Sequence, residues 1–492
     1  MKTRYFLGLA LLTSAIAIAC SDGGDDESTP QDTVGDDAGS SNDASDGDGD
    51  GEGGTIEDDG GDGEGGVDDD AGDGGDDGPF ASATEVIIDG PAILTALSDA
   101  GTPGYFRFEG NAGDRIVILT SAQKLANTNG DDPTVIDTVV TLYDSEKNLL
   151  ARNDDPFPRT GRDAELYTVL PRDGVYYFTV SDCNAVFTAC SPATDIETFA
   201  YEVKVLRTSQ LPETTATSAN DGIANAATIV YGTKDDANVY QPALISGVFD
   251  SPNQTHVFAF TPPDDAAVLG GHRYRVDFFV QPVGKELGNG SDANVKVRVT
   301  DATGTVVHAS AEQVHHGDGR DLDNPPLDVS VPLTPGQTYY LFVENDGGSG
   351  ANGASFYFIH HYVGTYWYGF AEEEGPTNSG HNDSLASSEY SQSFDGLPNV
   401  YFYDGNLPGG TDVDWFYLES SGSNNVTIQC HAQRAGSGLR NFKAELFRAN
   451  DASTVASATE TATSDFFAQG AAPAGAYFLK LSVGSLESGI AG

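Results

Sequence analysis

The residues of this chain able to do chemistry are four cysteines, nine histidines and 75 carboxylates among 492 residues. Cys183 and Cys190 bracket the polar loop CNAVFTAC, a spacing that suits a local disulfide in an oxidising compartment. Cys430 lies inside VTIQCHA, where a small buried apolar side chain is expected rather than a reactive thiol. Seven histidines fall between His256 and His361, among them the adjacent pairs His315-His316 and His360-His361. Neighbouring strand residues point to opposite faces, so neither pair is expected to chelate one ion. Asp137, Asn153, Asp154 and Asp155 offer a cluster of oxygens, but Asn and Asp are also the ordinary turn residues, and the turn reading is preferred. Matches to an EF-hand loop (Asp46, Asp48, Asp50, Gly51, Glu57) and to GxGxxG (Gly61, Gly63, Gly66) lack flanking elements and are accidents of an Asp/Gly tract. GxSxG, HExxH and P-loop motifs are missing, and no enzyme is expected.

Cys20 points to a different chemistry. Lys2 and Arg4 precede an uncharged run from Tyr5 to Ala19 that ends Ala17-Ile18-Ala19, the order of a secretory leader with small residues before its cleavage point. The run is too short to span a bilayer comfortably. The junction resembles the lipobox of bacterial lipoproteins, with Ala17 where Leu is usual. That resemblance implies a signal peptide over 1–19, a diacylglycerol on the Cys20 thiol, and a lipid-anchored place in the bacterial cell envelope. Ser21 rather than Asp after Cys20 fits the outer membrane or cell surface under the sorting rule of enteric bacteria.

Residues 20–79 read as a disordered tether, with 23 acidic and no basic residues between Ser21 and Pro79. A flexible linker of that length has a root-mean-square span of roughly 40 Å, lengthened by self-repulsion. The whole chain has net charge -51 and only 24 basic residues, which argues against nucleic-acid binding.

Beyond the tether, elements of one kind must position whatever sites exist. Short runs rich in Val, Ile, Tyr, Phe and Thr alternate with Gly, Pro, Asn and Asp, the pattern of antiparallel sheets. A turn followed by paired aromatics occurs three times, at Tyr176-Tyr177, Tyr339-Tyr340 and Tyr477-Phe478, at domain-sized separations. The fold class is therefore all-β, with three tandem antiparallel sandwiches at 80–210, 216–365 and 371–492. After Val180 and Val343 comes a further strand, TFAYEVKVL or SFYFIHHYV, whereas GSLESGIAG follows Val483. The third sandwich is expected to lose its last strand or to obtain it differently.

These repeats resemble the bacterial pre-peptidase C-terminal domain, a jelly-roll-like sandwich often appended to secreted proteases and collagenases. The residues that carry the likeness are Asp412-Val413-Asp414-Trp415-Phe416 in the third repeat, with Leu142-Tyr143-Asp144 and Gly174-Val175-Tyr176-Tyr177 in the first. The second repeat matches least. The resemblance implies a calcium site in the third repeat, with oxygens from Glu372, Glu373, Glu374 and Asn378 of the entry segment meeting Asp412 and Asp414. Calcium takes about six to eight such hard ligands. The alternative is a solvated acidic linker. Ca²⁺ is the only cofactor expected.

The aromatic run Tyr362, Tyr366, Trp367, Tyr368 and Phe370 leaves two readings open, packing between domains and a stacking platform for sugar or protein. The function expected is adhesion, or binding of extracellular protein or polysaccharide, by modules held off a membrane. The alternative is an accessory or regulatory partner of a secreted protease or other hydrolase.

Overall fold

The computed structural model describes residues 16–19, 78–127, 134–154, 162–187, 199–234, 240–265, 275–285, 288–312, 328–347, 354–364, 370–371, 382–390, 400–404, 412–420, 426–430, 439–459 and 466–486, with Asp132, Leu407 and Ser437. Residues 1–22 and 79–492 belong to one compact unit, and 23–78 to another. Cys20, the tether up to Asp77, Cys190, Asp155, His315-His316, Tyr366 to Tyr368, Glu372 to Glu374 and Asn378 lie outside the described residues. Among the described residues no helix is long and apolar enough to cross a membrane.

The chain is an all-β protein built of sandwiches. Strand β1 is Ile16–Ala19. The first sandwich contains β2 (Thr84–Glu85), β3 (Ile93–Ala96), β4 (Gly104–Gly110), β5 (Arg115–Ser121), β6 (Thr138–Tyr143), β7 (Leu149–Asn153), β8 (Glu165–Val169), β9 (Gly174–Asp182), the short helix α1 (Cys183–Val186) and β10 (Ala200–Arg207). The second contains β11 (Glu213–Thr215), β12 (Ala227–Thr228), β13 (Ala243–Val248), β14 (Thr255–Phe260), β15 (Arg275–Val280), β16 (Val295–Thr300), β17 (Val307–Glu312), β18 (Asp328–Pro332), β19 (Tyr339–Asn345) and β20 (Phe356–Gly364). The third contains β21 (Phe370–Ala371), β22 (Glu389–Tyr390), β23 (Val400–Asp404), β24 (Val413–Ser420), β25 (Val426–Cys430), β26 (Leu439–Arg440), β27 (Lys443–Arg448), β28 (Thr454–Thr459), β29 (Phe466–Gly470), β30 (Gly475–Ser482) and β31 (Ser485–Leu486).

One sheet has the same order in all three: β2-β4-β9-β6-β7, β12-β14-β19-β16-β17 and β22-β24-β30-β27-β28. Alternation is its local cause. In β4 Phe106 and Phe108 turn inward while Arg107 and Glu109 face solvent. The hairpin at its edge carries a register shift at the same place in each copy, at Leu142/Tyr143, Val299/Thr300 and Leu446/Phe447. An aspartate closes each of these turns. Asp144 accepts from the Glu146 and Asn148 amides at 2.9 Å, Asp301 from the Val306 amide at 3.1 Å, and Asp451 from the Ser453 amide at 3.0 Å.

The turn before the paired aromatics, Gly-x-Tyr in the first and third copies and Gly336-Gln337-Thr338-Tyr339 in the second, is latched as well. Tyr176 Oη donates to the Arg172 carbonyl at 2.6 Å, Tyr477 Oη donates to the Pro473 carbonyl, and Tyr339 Oη accepts from the Thr334 amide at 3.1 Å. Each of these tyrosines is buried.

The opposing sheets are β3-β10-β5-β8, β11-β13-β20-β15-β18 and β21-β23-β1-β25-β29. The strand after the Gly-x-Tyr strand fills the interior position in the first two: β10 lies between β3 and β5, and β20 between β13 and β15. In the third, β31 pairs with β26 instead, and the interior position is taken by β1, antiparallel to β23 and β25. Ile18 lies opposite Ile428, the register position that Val205 and His361 hold opposite Ile118 and Phe278. The sequence of this segment reads as the end of a leader. In the structure its last residues complete a sheet.

The first two sandwiches are docked to each other. Val117, Tyr167 and Val169 of one form an apolar cluster with Leu244, Phe356 and Phe358 of the other. Polar contacts ring it: Arg115 Nε meets Glu213 Oε1 at 3.0 Å, and Thr168 Oγ1 donates to the Asn289 carbonyl at 2.8 Å. Burial pushes Glu165, beside this cluster, up to about 7. The adjacent histidines split as strand geometry requires. His361 stacks on Phe278 inside the second sandwich with centroids 4.3 Å apart, while His360 meets Tyr167 at 4.9 Å on the docking face. Burial lowers both imidazoles to about 4. The two rings lie on opposite faces of the strand.

Candidate cation site at the start of strand β24

Asp412 and Asp414 sit where the aromatic strand of the third sandwich begins. Period-two alternation turns Asp414, Phe416, Leu418 and Ser420 inward, and Asp412 is buried just ahead of them. An entry segment runs parallel beside this strand. The Trp415 amide donates to the Asn382 carbonyl at 3.0 Å, and Glu389 then pairs with Phe416. Between these points Ser384 and Ser387 form a reciprocal capping box. Four oxygen-bearing residues, Asn382, Glu389, Asp412 and Asp414, are thereby brought to one end of the sheet and all are buried.

Asn382 is the informative member. It is 0 % exposed, and neither its Oδ1 nor its Nδ2 has a hydrogen-bond partner among the described residues. Leaving such an amide unsatisfied costs about 1–3 kcal/mol. The feature suits a hard cation, because amide and carboxylate oxygens are the donors that Ca²⁺ takes. The described carboxylates do not by themselves form a tight triad: among the described residues, the group of three acidic, His or Cys ligand atoms within 4.8 Å of one another lies in the first sandwich.

The same register positions in the other sandwiches are built differently. In the second, the Val257 amide donates to the Asn220 carbonyl at 2.7 Å, which makes Asn220 the counterpart of Asn382. There the side chain is satisfied locally, accepting from the Thr217 amide at 2.8 Å and donating to the Asn225 carbonyl at 2.6 Å. Gln254 and His256 stand for Asp412 and Asp414, and His256 Nδ1 lies 2.9 Å from Tyr357 Oη. Burial lowers His256 to about 4, so this pair is neutral. In the first sandwich the position of Asp414 is Gly104, where an added Cβ would lie 2.5 Å from Tyr201 Oη. Only the third copy places carboxylates here.

Of the residues expected from the sequence, Asp412 and Asp414 are brought together with the entry segment, while Glu372, Glu373, Glu374 and Asn378 lie outside the described residues. Sequence reasoning missed Asn382 and Glu389. The signal was present in the parallel between Asn382-Asp383-Ser384 and Asn220-Asp221-Gly222, each preceding an aromatic strand.

The tight group in the first sandwich comprises Asp137, Asp154 and Cys183. Cys183 is disulfide-bonded and has no thiolate to offer a metal. Asp137 is also engaged, with Arg162 Nη1 3.5 Å from its carboxylate. Asn153 ends β7 and donates through Nδ2 to the Glu165 carbonyl. These residues tie loops together.

No family model matches the chain, and no curated protein matches it. Among solved structures it is similar to the pre-peptidase C-terminal domain of a collagenase from Bacillus anthracis, at 16% identity over 25% of this chain and 93% of that one, with a TM-score of 0.18. It is also similar to tandem CBM51 modules of a family 98 glycoside hydrolase from Streptococcus pneumoniae, at 11% identity over 52% and 84%, TM-score 0.16. A third likeness is to the BSP domain of a biofilm-associated protein, at 8% identity over 82% and 81%, TM-score 0.16. Likenesses of this size carry no argument, and the assignment to the sandwich class rests on the sheets themselves.

Proposed function

We propose that this chain is a lipid-anchored envelope protein whose sandwiches act as binding modules for extracellular protein or polysaccharide, the third tuned by calcium. The observation that carries the calcium part is the buried amide of Asn382, without a partner among the described residues, on the segment bonded to β24 just after the buried Asp412 and Asp414. Asn382, Glu389, Asp412 and Asp414 would hold the ion, which supplies charge balance and ties the entry segment to β24. The binding part is supported by the build of the molecule: sandwiches in tandem gain avidity when several engage at once.

Thermal unfolding of the full chain in Ca²⁺ and in EGTA tests the site. A ligand at a hundred times its Kd stabilises the form it binds by about 2.7 kcal/mol. The expected result is a calcium-dependent rise in one transition that Asp414→Asn removes. An equal rise in Asp414→Asn would assign calcium to nonspecific condensation on the acidic tether, and no rise at all would remove the claim. Anchoring is read separately, since Cys20→Ala should move the chain from the membrane fraction to the soluble one. A stable protease recovered with the chain from membranes would favour the accessory role.

A further inference from the structure

The first sandwich carries a cleft on the outer face of the sheet β2-β4-β9-β6-β7, with a volume of about 400 Å³. Register builds its floor. Tyr105 lies opposite Thr179, Thr179 opposite Thr141, and Thr141 opposite Arg152, so four strands contribute one cross-sheet row. Ser181 lies two residues beyond Thr179 on the same face of β9. Thr179 and Ser181 are 5% and 4% exposed and line the cleft, their main chains paired within the sheet.

One wall is aromatic. Phe80 stands edge-on to Tyr105 and Tyr143, with centroids at 5.0 and 5.5 Å. The opposite wall is Ala185 and Val186 of α1, a turn fixed by Asp182 capping the Asn184 amide and by the Cys183 disulfide. Arg152 borders the floor, its Nε donating to Thr141 Oγ1 at 3.2 Å.

We infer that this cleft binds a sugar residue of a polysaccharide, with the C–H face of the ring against Phe80, Tyr105 and Tyr143 and its hydroxyls on Thr179 and Ser181. This rests on the binding-module reading above and names the ligand class of one module. Hydroxyl side chains both donate and accept, as sugar hydroxyls do, whereas a purely apolar ligand would leave the floor unsatisfied. The volume falls in the range of about 300–1,000 Å³ usual for small-molecule sites. An extended peptide is disfavoured because the cleft lies on a sheet face and offers no free strand edge for main-chain pairing.

The test is affinity electrophoresis of the full chain through gels containing mannan, galactomannan, xyloglucan or hydroxyethylcellulose. Retardation by at least one is expected, with affinity reduced tenfold or more in Thr179→Val and Tyr143→Ala. Thr179→Val keeps the β-branched shape, so it remains informative if the aromatic variant unfolds. Retardation by none, or retardation unchanged in both variants, overturns the assignment. A chain that ignores every polysaccharide but is retained by extracellular matrix protein loses the sugar cleft and keeps the binding-module reading. Retention by neither sinks both.

Discussion

Asn382 is a side chain whose energetics reverse with conditions. Its amide is buried and has no partner among the described residues, so replacing it should cost nothing and can stabilise; in the proposed calcium site the same oxygen would become a ligand. Asn382→Ala is therefore expected to melt at or above the wild-type temperature in EGTA and below it in calcium, a crossing that a purely structural asparagine does not give. Melting curves in the two buffers decide it. The residue was only half legible in the sequence. Asp412 and Asp414 stood out through their place before Trp415-Phe416, whereas Asn382 hid in a polar segment behind three consecutive glutamates. Its significance lies in lost hydrogen bonds, and those exist only once the entry segment is laid against β24.

Among elements, the turn before the paired aromatics shows why one short motif could announce three sandwiches. The tyrosine fills the core and also latches the turn that launches the central strand, so both its size and its hydroxyl are needed. Tyr176→Phe keeps the packing and removes the latch, and should cost about 1 kcal/mol in denaturant unfolding. A loss within error would reduce the repeated tyrosine to a packing residue. Strand alternation was equally readable. The parallel entry strands β2, β12 and β22 were not, because two residues carry no periodicity. The docking of the first two sandwiches also escaped, since Tyr167, Phe356 and Phe358 on outer faces cannot be told from core residues without knowing which face is which.

At the scale of the whole molecule, the first two sandwiches form a joined pair through that docking face, and one carboxyl makes the joint sensitive to pH. Burial raises Glu165 to about 7 from its ordinary 4.5, so the folded state holds an extra proton between those limits. Its contribution is fully present below about 4.5 and is lost as the pH rises through about 7. Glu165→Gln should therefore raise the melting temperature at pH 8 more than at pH 5. Equal changes at both would place the carboxyl in water. The histidines His256, His360 and His361 act in the opposite sense, since neutral imidazoles lowered to about 4 favour the fold above 6.5 and weaken it as the pH falls toward 4.

Strand β1 links the two ends of this story. Residues 16–19 serve in the structure as an interior rib of the third sandwich, yet the proposed lipid anchor needs the bond before Cys20 to be cut. One tetrapeptide cannot be both discarded and retained. Cutting there, which the proposed lipid anchor requires, would remove β1, so anchoring through Cys20 and completion of the third sheet by β1 exclude each other. In the processed form the backbone edges of β23 and β25 would stand apart, a seam rather than a wall.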